Sequence, residues 1–157
     1  MAKKENDGYE LVPNNWVKWS VVGNNIFGTL TAVREIPSQL KPGTMSKVYE
    51  IKADGGEFND TKDKKILEPA LEILAGEIWN VGGRMGLDAQ FRNIKLGQKV
   101  KLVFTEERPN KDKLKNATKI VNVYVKKDAK GQPVYDEVWL KEQAGTYDKA
   151  EEEEGSL

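Results

Sequence analysis

Apolar and polar residues alternate along four stretches of the chain with the period of two that is typical of half-buried strands. These stretches are residues 26–36, 47–53, 97–106 and 119–125. A β-rich run, 16–22, precedes the first stretch, and Asp54-Gly55-Gly56 after the second is a hairpin signal that leads to a short strand at Phe58. The pattern predicts a protein built mainly from antiparallel strands.

One segment has a different period. Between residues 65 and 79 the apolar side chains recur at spacings of three and four: Ile66, Leu67, Ala70, Leu71, Leu74 and Ile78. This spacing predicts an amphipathic helix over 65–79, with Pro69 near its first turn and Gly82-Gly83 just beyond its end.

The predicted order is strand, strand, strand, helix, strand, strand. Gly28 lies inside the long first strand, where it indicates a bulge or a sharp bend. We therefore expect a five-stranded oligonucleotide-binding (OB) fold, a Greek-key barrel with one helix between strands 3 and 4. Residues 1–15 are expected to form a flexible arm, 16–140 the barrel domain, and 141–157 a disordered acidic tail.

The 157 residues include neither cysteine nor histidine. Disulfides, thiolate metal sites and histidine-based acid–base or nucleophilic catalysis are therefore excluded. Four acidic residues follow one another closely after the second strand, Asp54, Glu57, Asp60 and Asp63, and are read as a solvated turn in preference to a divalent-ion site. We expect no enzyme activity, no catalytic residues, no bound metal and no cofactor.

The net charge of zero hides a partition along the chain. Residues 1–134 carry 23 basic and 17 acidic side chains, whereas residues 135–157 carry 2 and 8. A basic body and an acidic end are therefore expected. The basic body suggests a polyanionic partner.

Cations and aromatic rings together indicate binding of single-stranded nucleic acid, because rings stack on bases while cations neutralise phosphates. The loop of residues 105–119 and its ends supply Arg108, Lys111, Lys113, Lys115 and Lys119. Further cations on or near the strands are Arg34, Lys52, Arg84, Arg92 and Lys101. The candidate stacking rings are Trp19, Phe27, Tyr49, Phe58 and Tyr124. For each ring the alternative is packing in the core, and for the cations it is a solvated surface.

The chain resembles the single-stranded-DNA-binding proteins of bacteriophages in five segments: IFGTLTAVRE, KVYEIKADGGEF, NIKLGQKVKLVFTEERP, NATKIVNVYV and the terminal EEEEGSL. The resemblance implies an OB fold that coats and protects single-stranded DNA without sequence preference during replication, recombination or repair. It also implies that the acidic tail recruits replication or recombination proteins, here through Glu151, Glu152, Glu153 and Glu154. This chain ends in Gly155-Ser156-Leu157 where some relatives end in an aromatic residue. The difference weakens the expectation of partner docking through the tail more than the expectation of DNA binding.

Two other functions remain open at the level of sequence. The barrel could be a protein-interaction or structural module, such as a phage assembly component, or a small metal-dependent nuclease. The tail could be merely solubilising. No stretch approaches a membrane span or a signal peptide, so we expect a soluble cytoplasmic protein, in the host cytoplasm if it is phage-encoded.

Overall fold

The computed structural model describes residues 15–38, 42–83, 85–109 and 118–145. Within them the chain is mainly β and antiparallel. The strands are β1 (Asn25–Pro37), β2 (Met45–Phe58), β3 (Thr61–Lys62), β4 (Lys65–Ile66), β5 (Leu71–Ile73), β6 (Ile78–Gly82), β7 (Lys99–Arg108) and β8 (Thr118–Val125). Helix α1 is Met85–Phe91, and residues 137–145 form helix α2.

The main sheet has the strand order β5-β2-β1-β7-β8, and β6 also pairs with β2. The short strands β5 and β6 pair with different parts of the long β2, at residues 56–58 and 48–52. The hairpin β3-β4 forms a separate two-stranded sheet. Within the described residues β6 and β8 do not pair with each other, so the sheet is not closed by backbone hydrogen bonds.

Helix α1 covers the edge of β8. The Gln90 side-chain amide donates to the Val121 carbonyl oxygen at 2.8 Å, and its Oε1 accepts from the Val123 N–H at 2.8 Å. One side chain therefore takes the place of a peptide group from a neighbouring strand. The edge of β6 is covered similarly, because the Val17 N–H donates to the Asn80 carbonyl and the Asn80 N–H donates to Asn15.

The core lies on the face of the sheet against which α1 packs. Alternate residues of the strands are buried there, including Ile26, Leu30, Ile51, Leu102 and Phe104. Two aromatic pairs anchor the helix and the edge strand: Tyr49 stacks on Phe91 with centroids 4.0 Å apart, and Phe58 meets Trp79 edge-on at 5.4 Å.

The prediction of strands at 26–36, 47–53, 97–106 and 119–125 is confirmed by β1, β2, β7 and β8. Two other predictions are wrong. Residues 16–22 form only an isolated bridge, Trp16 to Asn80, and β2 continues through the expected turn at Asp54–Gly56 to Phe58.

The helix predicted over 65–79 is also wrong, because this segment contains β4, β5 and the start of β6. Most of the supposed apolar stripe is exposed to solvent, namely Ile66, Leu67, Leu71, Leu74 and Ile78. Gly76 has a φ of 90°, which belongs to a turn and interrupts a helix. The helix begins instead at Met85, beyond the glycines expected to end it.

Residues 141–145, which were assigned to the tail, belong to helix α2, and the rest of the predicted tail lies outside the described residues. No helix in the described part of the chain has the length and hydrophobicity needed to cross a membrane.

Candidate nucleic-acid interface

Two exposed aromatic rings lie in one row across the solvent-facing side of the sheet. Phe27 on β1 pairs with Lys101 on β7, and Lys101 pairs with Tyr124 on β8. Directly paired residues point to the same face, so the three side chains are neighbours. Phe27 is 38% exposed and Tyr124 is 50% exposed. The rings are two strand spacings apart, about 10 Å.

Lys101 lies between the rings. Its Nζ is 5.8 Å from the centroid of the Phe27 ring, within the range of a cation–π contact. A base stacked on either ring would bring its phosphate close to this ammonium group.

A glycine makes room for the Phe27 ring on its other side. Gly55 on β2 pairs with Phe27, and a Cβ at position 55 would lie only 2.7 Å from the Phe27 Cζ. Any larger residue would displace the ring. The absence of a side chain at Gly55 therefore fixes how Phe27 lies on the sheet.

A groove of about 540 Å³ runs along this row. The two rings form part of its wall, and three lysines lie in it, Lys99, Lys101 and Lys126. Lys99 is on the next row of β7, and the Lys126 N–H donates to the Lys99 carbonyl at 3.0 Å. Aromatic faces and ammonium groups are thus combined in one open groove.

The chain after β8 starts at the groove with Lys126 and then returns to pair with Lys99. The Lys99 N–H donates to the Val134 carbonyl at 2.9 Å, and the Val134 N–H donates to the Lys126 carbonyl at 2.9 Å. The chain then reaches Asp136, which precedes α2 and accepts a hydrogen bond from the Trp139 N–H at 3.0 Å. Asp136 is therefore the N-cap of α2.

Asp136 also ties the segment after β8 to the sheet. Its Oδ2 accepts from the hydroxyl of the buried Thr29 at 2.8 Å and lies 3.7 Å from the Lys99 Nζ. Burial by itself would raise the pKa of Asp136. Hydrogen bonds from the Trp139 N–H and the Thr29 hydroxyl, together with nearby lysine charge, outweigh burial and lower that pKa below its ordinary value.

The groove contains one carboxylate that faces a lysine at close range. Asp54 Oδ2 lies 2.8 Å from the Lys99 Nζ, and both residues line the groove. The remaining lysines of the groove, Lys101 and Lys126, have no carboxylate within ion-pair distance in the part of the chain that the structure describes.

The charge of the surface changes from positive to negative at Phe27. On the side away from the lysines lies a second cavity of about 570 Å³, lined in part by Glu57 and Glu72. These two glutamates are directly paired between β2 and β5. A polyanion on the sheet would therefore be attracted to the lysine side of Phe27 and repelled from the other side.

Three of the five candidate rings lie in the core. Trp19, Tyr49 and Phe58 are 5%, 2% and 7% exposed. The Tyr49 hydroxyl donates to Asp88 Oδ1 at 2.6 Å, and burial together with this carboxylate raises the pKa of Tyr49. These three rings pack as the alternative interpretation expected, and only Phe27 and Tyr124 are accessible to a base.

The predicted cations are spread over several surfaces. Lys101 lies in the groove, and Lys52 pairs with Thr29 on a neighbouring row. Arg34 is exposed and donates to Asn80 Oδ1 at 2.6 Å, and Arg92 is exposed just after α1.

The described ends of the loop of residues 105–119, whose cations were predicted to neutralise phosphates, lie away from the groove. Lys119 pairs with Glu107, about 20 Å along β7 from Lys101 at roughly 3.3 Å per residue. Arg108 forms an ion pair with Glu106 at 3.0 Å. Four predicted cations and the tail acids lie outside the described residues: Arg84, Lys111, Lys113, Lys115, Glu151, Glu152, Glu153 and Glu154.

The sequence interpretation missed Lys99, Lys126, Asp54 and Asp136. The alternation of Lys99 and Lys101 against Val100 and Leu102 was a usable signal, because it placed both lysines on one face of a strand. Asp54 reaches the groove through a bulge, and Asp136 reaches Lys99 through the return of the chain after β8; no local sequence pattern predicts either contact.

The four clustered acidic residues do not converge. Asp54 pairs with Lys99, and Asp60 pairs with the Lys18 Nζ at 2.7 Å. Among the residues described, no three carboxylates are grouped so that they could hold a metal ion.

Comparisons with known proteins identify no relative: no family model matches the chain, and neither a curated protein nor a solved structure matches it. What this surface can bind therefore depends on the chemistry of the side chains described above.

Proposed function

We propose that the protein binds single-stranded DNA without sequence preference and does not modify it. The observation that carries this proposal is the row of Phe27, Lys101 and Tyr124 across three adjacent strands. Exposed rings accept any base by stacking, at roughly 1–3 kcal/mol per base, and an ammonium group between them neutralises phosphate. Duplex DNA offers no unstacked bases to the rings.

The proposed fold is an OB barrel that is left open between β6 and β8. Its five strands would be β1, β2, the pair β5 and β6, β7 and β8, with α1 between the third and the fourth. The strand order supports this proposal, because β7 returns beside β1 as in a Greek key. The binding surface would be the side of the sheet that faces solvent.

The proposed biological role is to coat and protect single-stranded DNA in replication, recombination or repair, in the cytoplasm of the cell or of a phage-infected host. The acidic end of the chain supports a further role in contacting basic surfaces of replication or recombination proteins.

The direct test is a titration of fluorescently labelled oligo-dT with the full-length protein, followed by anisotropy at low and at high salt. We expect binding at low salt that weakens steeply as salt is added, because phosphate contacts release counterions. Matched single-stranded RNA and duplex DNA are the comparison ligands, and duplex should bind more weakly. Absence of binding to oligo-dT at low salt would contradict the proposal.

A second candidate function, a protein-interaction module, is favoured by a cavity of about 500 Å³ on another part of the surface. Exposed Leu67 and Leu71 line it together with Trp16 and Trp79, and Lys18 and Asp60 lie at the same cavity. Exposed apolar clusters often mark protein contacts. If this function is the main one, the protein will ignore DNA and form a stoichiometric complex with a protein partner, which Leu67→Asp abolishes.

A further inference from the structure

Asp54 is the extra residue of a β-bulge. Phe27 pairs with Gly55 and Gly28 pairs with Ala53, so that Asp54 has no partner on β1. The bulge depends on Gly28, because a Cβ there would lie 2.2 Å from the Lys52 carbonyl oxygen and 2.9 Å from the Asp54 N. A bulge redirects the side chain that it inserts. Here the redirected side chain is a carboxylate at the wall of the groove.

The partner of Asp54 is the most buried lysine of the groove. The Lys99 side chain is 23% exposed, whereas that of Asp54 is 48% exposed, and their ion pair spans 2.8 Å. Asp136 is the second carboxylate near Lys99, but its oxygens are already engaged by Thr29 and Trp139. Asp54 has no such structural bonds among those that the structure gives, so it is the carboxylate that can leave.

We propose that Asp54 is an internal competitor for the phosphate groups of a bound strand at Lys99. In the free protein the Asp54 carboxylate occupies the position from which a phosphate oxygen would contact the Lys99 ammonium group. A bound strand displaces this carboxylate into solvent, where its exposed half is already hydrated, and the phosphate takes over the charge-assisted hydrogen bond. The inference rests on the proposed function, since it assigns a role within the same groove.

The displacement has two consequences for binding. Affinity is lowered, because an ion pair must be broken and a negative charge remains beside the incoming phosphate. The salt dependence is also reduced, because Lys99 neutralises a carboxylate before binding and adds little net charge to the interface. Both effects distinguish Asp54 from a residue that only supports the fold.

The test compares Asp54→Asn with the wild-type protein in oligo-dT titrations over a series of salt concentrations. Asparagine keeps the size of the side chain and removes its charge. We expect about three- to tenfold tighter binding at low salt, and a slope of log affinity against log salt that is steeper by roughly 0.7, as for one additional phosphate contact on a single strand.

Glu35→Gln is the matched control, since it makes the same change in net charge on the exposed part of β1. Position 35 lies about 25 Å along the strand from Phe27 at roughly 3.3 Å per residue. We expect a much smaller effect on affinity and an unchanged slope. In the double variant Asp54→Asn/Lys99→Met, once a melting curve has verified the fold, the slope of log affinity against log salt should no longer be steeper than that of the wild type.

The outcomes separate the two proposals. If the wild-type protein binds oligo-dT but Asp54→Asn matches it in affinity and slope, the competitor role is wrong while DNA binding stands. Weaker binding by Asp54→Asn would also overturn the competitor role, because it would make Asp54 a contact to the strand. If neither protein binds, the proposed function itself fails.

Discussion

The face of the strand on which an aromatic residue lies decides whether its ring is buried in the core or accessible to solvent. Phe27 lies between the buried residues Ile26 and Gly28, and Tyr124 alternates with Val123 and Val125. Tyr49 and Trp79 are buried on the opposite face of the sheet, where Tyr49 stacks on Phe91 of α1 and Trp79 packs against Phe58. Aromatic residues of similar polarity thus have different roles because of the direction in which the backbone presents them.

Replacing either exposed ring should weaken DNA binding. For Phe27→Ala or Tyr124→Ala we expect a loss of about five- to 150-fold in affinity for oligo-dT, corresponding to roughly 1–3 kcal/mol per lost stacking contact. The slope of affinity against salt should change little, because no charge is removed. Anisotropy titration measures both quantities.

Val33→Ala and Tyr49→Phe are the controls for that experiment. Val33 is an exposed apolar residue farther along β1, and Tyr49→Phe removes a buried hydroxyl and its bond to Asp88. Val33→Ala should leave affinity unchanged. Tyr49→Phe should lower the free energy of unfolding by about 1 kcal/mol without changing affinity. If Tyr49→Phe kept full stability but lost DNA binding, Tyr49 would have to be part of the binding interface.

Asp136 couples stability to pH. Its pKa in the folded protein is lowered, so its ionised form stabilises the fold above the ordinary pKa of an aspartate, and this contribution is lost as pH falls through the lowered value. Asp136→Ala should cost about 1–2 kcal/mol at neutral pH, the usual range for loss of an N-cap.

Asp136→Asn separates capping from charge. Asparagine is also a good N-cap, so this variant should lose less stability at neutral pH than Asp136→Ala. Its stability should also fall less than that of the wild type between neutral pH and about pH 3. Urea denaturation at the two pH values measures this difference. An acid sensitivity equal to that of the wild type would show that the carboxylate of Asp136 is not a source of the pH dependence.

At the scale of elements, two edges of the sheet, those of β6 and β8, are covered although the sheet is not closed. An uncovered strand edge exposes peptide groups that can pair with another chain. Here a glutamine of α1 covers β8, and residues 15–17 cover β6. A seven-residue helix is thus sufficient to protect the edge, because it positions one side-chain amide opposite the strand.

Loss of this amide should loosen β8 locally. Gln90→Ala should reduce the free energy of unfolding by about 1 kcal/mol, because the Val121 carbonyl and the Val123 N–H lose their partner. Hydrogen exchange at the Val123 amide should become faster. Arg92→Ala, an exposed change just after the same helix, is the control and should leave this exchange rate unchanged. Unaltered protection of Val123 in Gln90→Ala would argue against the bridging role.

At the scale of the molecule, positive and negative side chains lie on different parts of the surface. Lysines lie on one side of Phe27 and the pair Glu57 and Glu72 lies on the other. The chain after residue 134 is acidic, with 2 basic and 8 acidic side chains. Much of this acidic end lies outside the described residues, so its effect on the groove is a prediction from charge alone.

Removal of the acidic end should strengthen DNA binding at low salt. A chain that ends before Tyr147 lacks the run Glu151–Glu154 and so loses a competitor for the lysines. The difference between the truncated and full-length proteins should shrink as salt screens the charges. Equal affinity of the two proteins at low salt would mean that the acidic end only aids solubility.

The sequence by itself determined the four long strands, the accessible side of Lys101 and the partition of charge, because each depends on local alternation or on composition. It misplaced the helix, since apolar residues three and four apart occur in successive short strands and turns as well as on a helix face. Tertiary structure alone decided that Phe27, Lys101 and Tyr124 form one row, and that Asp54 and Asp136 meet at Lys99. These contacts depend on strand register, on a bulge and on the path of the chain after β8, and they join residues that are far apart in sequence.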